Sequence, residues 1–303
     1  MSAAPGTPPI RDRAAAGPLR VLIAGCGYVG RALAQRLLDD GSTVFALRRS
    51  PGGLEPLAGR EGELHLLSAD VTDPNSLEGL PPDLDSVVYS VSAGDRSDGA
   101  YRRAYVEGPG NLLQALSDAG SGSRRFLFTS STGVYGQETG EWVDEETPAE
   151  PRGFSGRRLL EGERLVRARH PGSIVVRFAG IYGPDRTRLI DRVRAGEARC
   201  TEGDSIWTNR IHRDDCAGAL HHLLSLEDPR DLYLGVDDEP ADRCQVYRWI
   251  ARRLGVPLPP RVSRPPNGGR RRSNKRCRNA RLRESGYPFL YPTYREGYGS
   301  ILG

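Results

Sequence analysis

The sequence contains no long hydrophobic run. A membrane-spanning helix needs about 18 or more consecutive apolar residues, and no stretch of the 303 residues approaches that length. Residues 1–18 (MSAAPGTPPIRDRAAAGP) are small and proline-rich, without an apolar centre. We therefore expect a disordered tail there rather than a signal peptide, and no contact with a membrane.

Cysteine is scarce, and its spacing does not fit a metal site or a disulfide framework. The five cysteines stand at positions 26, 200, 216, 244 and 277, an odd number without a CxxC pair. Zinc sites and disulfide frameworks usually show closely repeated cysteines. We therefore expect neither a disulfide framework nor a metal site, and predict a reducing, cytoplasmic location.

Lysine is almost absent, because 42 of the 43 basic residues are arginine and only Lys275 is a lysine. The net charge is +4, but ten basic residues and no acid fall between Arg261 and Arg283. This run is either a solvated surface loop or a site for phosphates or nucleic acid. We favour the loop and expect no nucleic acid partner, because no binding motif or interleaved aromatic residue accompanies the charge.

Short apolar runs alternate with amphipathic stretches along the chain. The runs predicted as strands are Leu19–Ala24, Ser42–Leu47, Leu64–Ala69, Ser86–Val91, Phe126–Ser130, Ile174–Phe178 and Asp231–Val236. Helices are predicted over Arg31–Asp40, around Val106–Leu116 and between Gly153 and Val166. Such alternation predicts a parallel sheet with helices on both faces.

The motif GCGYVG leaves the first predicted strand and opens the first helix. In this context Gly25 makes the tight turn, Gly27 lets a pyrophosphate approach the backbone, and Gly30 allows close packing of helix and strand. The helix N-terminus offers free N–H groups to the phosphates. The motif predicts dinucleotide binding, and a βα turn without a ligand is the alternative.

The second predicted strand ends in Leu47-Arg48-Arg49-Ser50. Proteins that bind NAD usually carry Asp or Glu near this point for the ribose 2′-OH. Here two guanidinium groups and a hydroxyl can hold a 2′-phosphate. We predict NADP(H) rather than NAD(H), the alternative being that both arginines are ordinary surface charges.

From Leu19 onward the chain resembles the extended short-chain dehydrogenase/reductase superfamily, which includes nucleotide-sugar epimerases and dehydratases. GCGYVG, FTSSTGVYG (Phe128–Gly136), VRFAGIYGP (Val176–Pro184) and NRIHRDDCAGAL (Asn209–Leu220) carry the resemblance. It implies a Rossmann-type, doubly wound α/β fold and, as is common in the family, a homodimer. The NAD(P)-binding domain would span residues 19–180 and 205–240, and a small substrate-binding lobe would span 181–204 and 241–303.

The resemblance also implies a catalytic set that this chain only partly contains. In the family, a Ser or Thr after the fifth strand holds the substrate, and a Tyr-x-x-x-Lys in the next helix moves the proton and holds the ribose. Ser131 matches the first position, but Phe154 and Arg158 stand at the other two. Because Arg271 lies four residues before Lys275, the only lysine, no Tyr-x-x-x-Lys exists in the chain. Arg158 could still hold the ribose.

The predicted cofactor contacts follow the first, second, third and fourth strands and the substituted helix position. They are Gly25, Cys26, Gly27, Tyr28, Val29, Gly30, Arg48, Arg49, Ser50, Asp70, Val71, Ser90, Val91, Ser92 and Arg158.

Two groups are candidates for the missing acid. Tyr135 lies just beyond Ser131, although in the resembled family it is mainly structural, and His212 titrates near neutral pH. Glu161 shares a helical face with Arg158, so we expect an ion pair there rather than a catalytic carboxylate.

Other polar residues fall near the expected substrate. Asp214 and Asp215 are expected to cap a helix, and Tyr182 lies on a loop after the sixth strand. We predict Tyr182, His212 and Ser131 as substrate contacts.

The predicted catalytic residues are Ser131, Tyr135 and Arg158. The predicted function is an NADP(H)-dependent oxidoreductase or epimerase/dehydratase-like enzyme that acts on a small polar or nucleotide-linked substrate. A non-catalytic NADP(H)-binding redox sensor is the alternative, because Phe154 has no proton to exchange.

Overall fold

The computed structural model describes residues 17–50, 52, 54, 57, 59–203, 205–263 and 273–303. In chain order, the strands are β1 (Arg20–Ala24), β2 (Thr43–Arg48), β3 (Leu64–Ser68), β4 (Ser86–Tyr89), β5 (Arg125–Ser131), β6 (Glu141–Val143), β7 (Ser173–Phe178), β8 (Gly180–Tyr182), β9 (Cys200–Thr201), β10 (Trp207–Thr208), β11 (Arg210–His212), β12 (Leu232–Gly235), β13 (Ala241–Asp242), β14 (Arg261–Val262) and β15 (Lys275–Cys277).

The helices are α1 (Tyr28–Asp39), α2 (Asp98–Arg102), α3 (Gly108–Asp118), α4 (Phe154–Arg169), α5 (Arg188–Arg194), α6 (Arg213–Ser225), α7 (Arg243–Leu254), α8 (Ala280–Glu284) and α9 (Tyr294–Leu302). A π-helical stretch, Arg103–Glu107, joins α2 to α3.

Seven strands form one central sheet in the order β12-β7-β5-β4-β1-β2-β3. Every neighbouring pair in this sheet is parallel. They are the seven runs predicted as strands, with ends that differ by at most two residues. The order changes direction between β1 and β4, and a crevice is expected at the carboxyl ends of the strands at that point.

Alternate side chains of the inner strands enter two separate buried clusters, whereas the edge strand β3 leaves Leu66 exposed. Val21 and Ile23 of β1 join one cluster with residues of α1 and α6. Leu22 and Ala24 join another with residues of α3 and α4. Burial on both faces explains why these strands are continuously apolar, and the predicted doubly wound α/β fold is confirmed.

A third buried cluster is built from α5, α7, α9 and Tyr182. The end of the chain is not confined to this cluster, because Leu282 and Tyr287 join the cluster beside α1 and α6. The strand β15 also pairs with β6. The division into a dinucleotide-binding domain and a substrate lobe therefore stays a prediction.

Two of the five cysteines are joined. Cys200 of β9 and Cys244 of α7 form a disulfide, with Cα atoms 5.2 Å apart and a separation of 44 positions in sequence. The cysteine spacing argued against a disulfide framework and did not predict this single bond, because spacing along the chain does not report which elements pack together. The inference of a reducing, cytoplasmic location loses the support of cysteine usage. No group of three or more His, Cys, Asp or Glu that could hold a metal occurs among the described residues.

The basic stretch from Arg261 to Arg283 is only partly described, since residues 264–272 lie outside the described ranges. In the remainder, β14 pairs with β9 and β15 pairs with β6. Lys275 is only 2% exposed, and its Nζ donates to the Tyr135 carbonyl oxygen at 3.3 Å and to Ser273 Oγ. Burial lowers the pKa of Lys275. The prediction of a solvated loop is wrong for β15, where Lys275 and Cys277 are buried, whereas Arg261 and Arg278 are exposed.

No helix among the described residues is long and apolar enough to cross a bilayer. The tail predicted over residues 1–18 lies outside the described ranges, apart from Gly17 and Pro18.

Candidate functional site

A cavity of about 820 Å³ opens at the carboxyl ends of β1, β2, β4 and β5, where the strand order changes direction. Most of the predicted cofactor contacts line it. These are Gly25, Gly27, Tyr28, Val29, Arg48, Arg49, Ser50, Asp70, Val71, Ser90, Val91 and Ser92. The sequence therefore located the cavity from motifs that follow four different strands.

The turn between β1 and α1 forms a cradle at the base of this cavity. Gly25 has a φ of 83°, and a Cβ there would lie 2.7 Å from the Ser90 backbone. A Cβ on Gly30 would lie 2.8 Å from the Gly25 carbonyl oxygen. At Gly27 the nearest atom would be 3.9 Å away, so the protein itself leaves room for a side chain. The open face at Gly27 fits a pyrophosphate held against the backbone and the α1 N-terminus.

Cys26 and Gly30 support this turn from behind and are not among the lining residues. Cys26 is fully buried, and burial raises the pKa of its thiol to about 12. The two residues therefore shape the cradle rather than present polar groups to a ligand.

The end of β2 carries two guanidinium groups to the cavity wall, at Arg48 and Arg49, with Ser50 beside them. Asp70 lies on the same wall. Burial disfavours ionisation of its carboxyl, but hydrogen bonds from the Thr72 N–H and hydroxyl, at 2.9 and 2.8 Å, hold the pKa of Asp70 below its usual value. Positive and negative groups are thus both available along the edge where the adenosine half of a dinucleotide would lie.

Helix α4 presents Leu159, and not Arg158, to the cavity. The Arg158 guanidinium instead donates from Nε and Nη2 to Asp98, both at 2.9 Å, and from Nη1 to Glu161 at 2.8 Å. One residue turns about 100° around a helix, so a register chosen by motif alone can select the wrong face. The predicted Arg158–Glu161 pair is confirmed, but the position of Arg158 does not support contact with a ribose or with reacting atoms.

Phe154 also faces away from the cavity lining and packs edge-to-face on Tyr101, with ring centroids 5.6 Å apart. The side of α4 that reaches the cavity therefore carries an aliphatic group and no exchangeable proton.

Tyr135 is buried in a polar network behind the cavity wall. Its hydroxyl donates to the Asp144 carbonyl oxygen at 2.7 Å and accepts from Arg177 Nη1 at 2.8 Å. Arg177 also forms a buried ion pair with Glu163 at 2.7 Å. Burial raises the pKa of Tyr135 to about 12, and the residue does not line the cavity. Its position supports a structural role rather than the predicted role as an acid.

Ser131 does line the cavity, beside Ser130 and Thr129 at the end of β5. Its Oγ accepts a hydrogen bond from the Gly133 N–H at 3.0 Å. That bond fixes the side chain and leaves its O–H available to a ligand.

Several lining residues were missed by sequence reasoning, and two of them are Tyr105 and Arg186. Tyr105 reaches the cavity from the π-helical stretch, and burial raises the pKa of its hydroxyl. Arg186 reaches it from the loop after β8 and stacks on the Tyr28 ring at 4.2 Å. No sequence motif predicts that either residue lines the cavity, because one lies in the π-helical stretch and the other in the loop after β8.

Tyr182 and His212 lie outside the cavity lining. They are 5% and 1% exposed, and their rings meet edge-to-face at 5.4 Å. His212, rather than Asp214 or Asp215, caps α6, because its Nδ1 accepts from the Asp214 N–H at 3.2 Å. Burial lowers the pKa of His212 to about 4. The predicted cap is corrected, and these positions do not support the predicted substrate contacts.

Comparison with known proteins identifies the family of the chain. Residues 21–235 match the model of the NAD dependent epimerase/dehydratase family. Protein YeeZ of Escherichia coli K12 is 31% identical, over 90% of this chain and 96% of that protein. A 3-diazoavenalumate denitrifying reductase from Streptomyces is 29% identical, over 93% of this chain and 99% of that protein.

A solved structure described as an NAD-dependent epimerase/dehydratase from Methylobacillus flagellatus is also similar. It shares 40% identity and a TM-score of 0.76, over 94% of this chain and 97% of that chain. The chain belongs to the NAD dependent epimerase/dehydratase family, and the resemblance to the extended superfamily is confirmed.

Proposed function

We propose that the protein is an NADP(H)-dependent oxidoreductase that acts on a small polar or nucleotide-linked molecule. The observation that carries this proposal is the wall formed by Arg48, Arg49 and Ser50 beside the glycine cradle. Guanidinium groups bind phosphate oxygens through paired, charge-assisted hydrogen bonds. A ribose 2′-phosphate at the end of β2 would meet two of them.

Different lining residues of the cavity would contact different parts of the cofactor and the substrate. Gly27 and the α1 N-terminus would hold the pyrophosphate, and Ser90, Val91 and Ser92 would follow the far edge of the cofactor. Bound NADPH supplies a hydride for transfer to the substrate. Ser131, at the end of β5, would orient the substrate oxygen or nitrogen that receives a proton.

The proton must come from a group outside α4, and we propose Tyr105. Tyr105 lines the cavity, and its phenol, like any tyrosine whose pKa is not lowered, carries a proton at neutral pH. The reductase from Streptomyces supports reduction rather than isomerisation as the reaction class. A homodimer and a cytoplasmic location remain predictions.

The second candidate is a redox sensor that binds NADP(H) without turnover. The observation in its favour is Leu159, which presents an aliphatic surface where the family places a proton-transfer pair.

A fluorescence titration with NADPH and then NADH tests the cofactor. We expect NADPH to bind at least tenfold more tightly, and Arg48→Gln or Arg49→Gln to weaken NADPH about tenfold while leaving NADH almost unchanged. Arg164→Gln, at an exposed position of α4, is the matched control for loss of one positive charge. Equal affinity for the two cofactors, or a preference for NADH, would contradict the NADP(H) proposal.

NADPH oxidation with a panel of carbonyl and imine compounds then separates the two candidates. Turnover that falls at least a hundredfold in Tyr105→Phe, with NADPH affinity retained, supports the enzyme and its proposed acid. Tight NADPH binding without turnover across the panel favours the sensor.

A further inference from the structure

A second cavity, of about 380 Å³, lies between α7 and the β9–β14 pair. It shares no lining residue with the cofactor cavity. Four arginines line it, namely Arg243, Arg248, Arg252 and Arg261, and we name it the arginine pocket.

The positive charge of this pocket is not balanced by its described surroundings. Asp242 is the only acid among the described lining residues, and its carboxylate is already engaged in capping α7. One oxygen accepts from the Cys244 and Gln245 N–H groups at 2.9 and 3.2 Å. The other accepts from the Ile206 N–H at 2.9 Å.

The four arginines also lack the ion pairs that other arginines of the fold make. Arg158 and Arg177 each contact a carboxylate within 3 Å, whereas no ion pair within the described residues involves an arginine of this pocket. Among the described residues, the Arg243 side chain donates only to Thr201 Oγ1, at 3.3 Å. The Nε of Arg248 is buried without a hydrogen-bond partner among the described residues.

A buried N–H without an acceptor is costly, by about 1–3 kcal/mol and more for a charged group. Phosphate oxygens satisfy guanidinium groups two at a time and neutralise their charge. The volume of the pocket falls within the range typical of small-molecule sites, about 300–1,000 Å³. An anionic ligand would therefore satisfy both the charge and the unpaired Nε.

We propose that the arginine pocket is a second ligand site, which binds a small molecule carrying at least two negative phosphate charges. The proposal is independent of hydride transfer, because the pocket and the cofactor cavity have separate walls. The pocket is built from secondary structure on each side, with α7 across from β9 and β14, and the Cys200–Cys244 disulfide ties these two sides together.

Isothermal titration of the full chain with inorganic pyrophosphate tests this proposal. We expect saturable binding that Arg248→Gln and Arg252→Gln each weaken about tenfold or more. Arg253→Gln is the matched control, because it removes the same charge from the same helix outside the pocket, where Arg253 stacks on Trp249. Arg48→Gln is the second control, since pyrophosphate can also enter the cofactor cavity. The proposal requires that the pyrophosphate binding lost in Arg248→Gln is retained in both Arg253→Gln and Arg48→Gln.

Absence of saturable pyrophosphate binding to the wild type would overturn the proposal, as would equal losses in Arg248→Gln and Arg253→Gln. Arg248→Lys keeps the charge but loses the planar fork, so we expect an intermediate loss, and thermal melts identify any variant that fails to fold. NADPH affinity should be unchanged in Arg248→Gln. A wild type that binds pyrophosphate here but not NADPH would contradict only the proposed oxidoreductase function.

Discussion

At the scale of single residues, two consecutive side chains of α4 point to different surroundings. Leu159 lines the cofactor cavity, while Arg158 pairs with Asp98 and Glu161. The sequence predicted that the usual Tyr and Lys are missing, because a single lysine allows no such pair. It could not decide which α4 residue faces the cavity, since a shift of one position rotates the helix by about 100° and both registers are compatible with the motif.

The hydroxyl of Tyr135 should matter for stability more than for chemistry. In Tyr135→Phe, the buried Arg177 loses an acceptor and the Asp144 carbonyl loses a donor. We expect the free energy of unfolding to fall by about 2 kcal/mol in urea titrations, with NADPH affinity unchanged. Tyr101→Phe, on a ring that packs beside α4, is the control. Loss of turnover without loss of stability would instead restore Tyr135 as the acid.

His212 should make the stability dependent on pH. Its pKa is about 4 in the folded protein, against 6.5 for an ordinary histidine. Between these values the unfolded chain binds a proton that the folded chain does not, so the free energy of unfolding falls as the pH drops through this range. Asn can cap a helix without titrating. Between pH 7 and pH 4.5 the wild type should therefore lose about 2 kcal/mol relative to His212→Asn.

Urea unfolding of both proteins at the two pH values measures this difference. Parallel changes in the two proteins would mean that His212 does not carry the effect.

At the scale of elements, α4 and the π-helical stretch approach closely through a glycine. A Cβ on Gly162 would collide with the Tyr105 carbonyl oxygen and lie 3.0 Å from its carbon. This contact positions Tyr105 in the cavity wall, and it joins segments more than 50 residues apart. Periodicity predicted the helix but could not indicate which glycine meets another backbone.

Gly162→Ala should therefore lower the free energy of unfolding by about 2 kcal/mol and weaken NADPH binding, because the Tyr105 segment must move. Gly299→Ala is the matched control, since beyond the adjacent backbone of its own helix no atom lies within 4 Å of a Cβ at that position. It should raise stability by up to about 1 kcal/mol. Thermal melts and the NADPH titration report the two effects, and similar behaviour of the two variants would argue against a tight contact at Gly162.

At the scale of the whole molecule, local signals predicted the sheet, and contacts distant in sequence escaped prediction. Each central strand is an apolar run between turn residues, and the cofactor motifs directly follow strands. The strands and the motifs could therefore both be predicted from short segments of sequence. The pairing of β15 with β6 and of Cys200 with Cys244 depends on how distant segments pack. No periodicity or motif in these segments predicts which distant segment each one contacts.

The disulfide should contribute measurably to global stability. It closes a loop between residues 44 apart in sequence, and chain entropy assigns about 4 kcal/mol to a loop of this size. We expect a reductant such as dithiothreitol to lower the free energy of unfolding by up to that amount in urea titrations. The double variant Cys200→Ser/Cys244→Ser should start from the lower value and be insensitive to the reductant. A wild type with the same stability in both conditions would contradict a structural bond.

The burial of Lys275 has a consequence for amine chemistry. The chain has one ε-amino group, and that group is enclosed beside the β6–β15 pair and the Tyr135 carbonyl. Acylating reagents that modify exposed lysines can reach it only when this strand pair opens. The rate of acylation at Lys275 would therefore measure how often the β6–β15 pair opens, and no other side-chain amine would contribute to the signal.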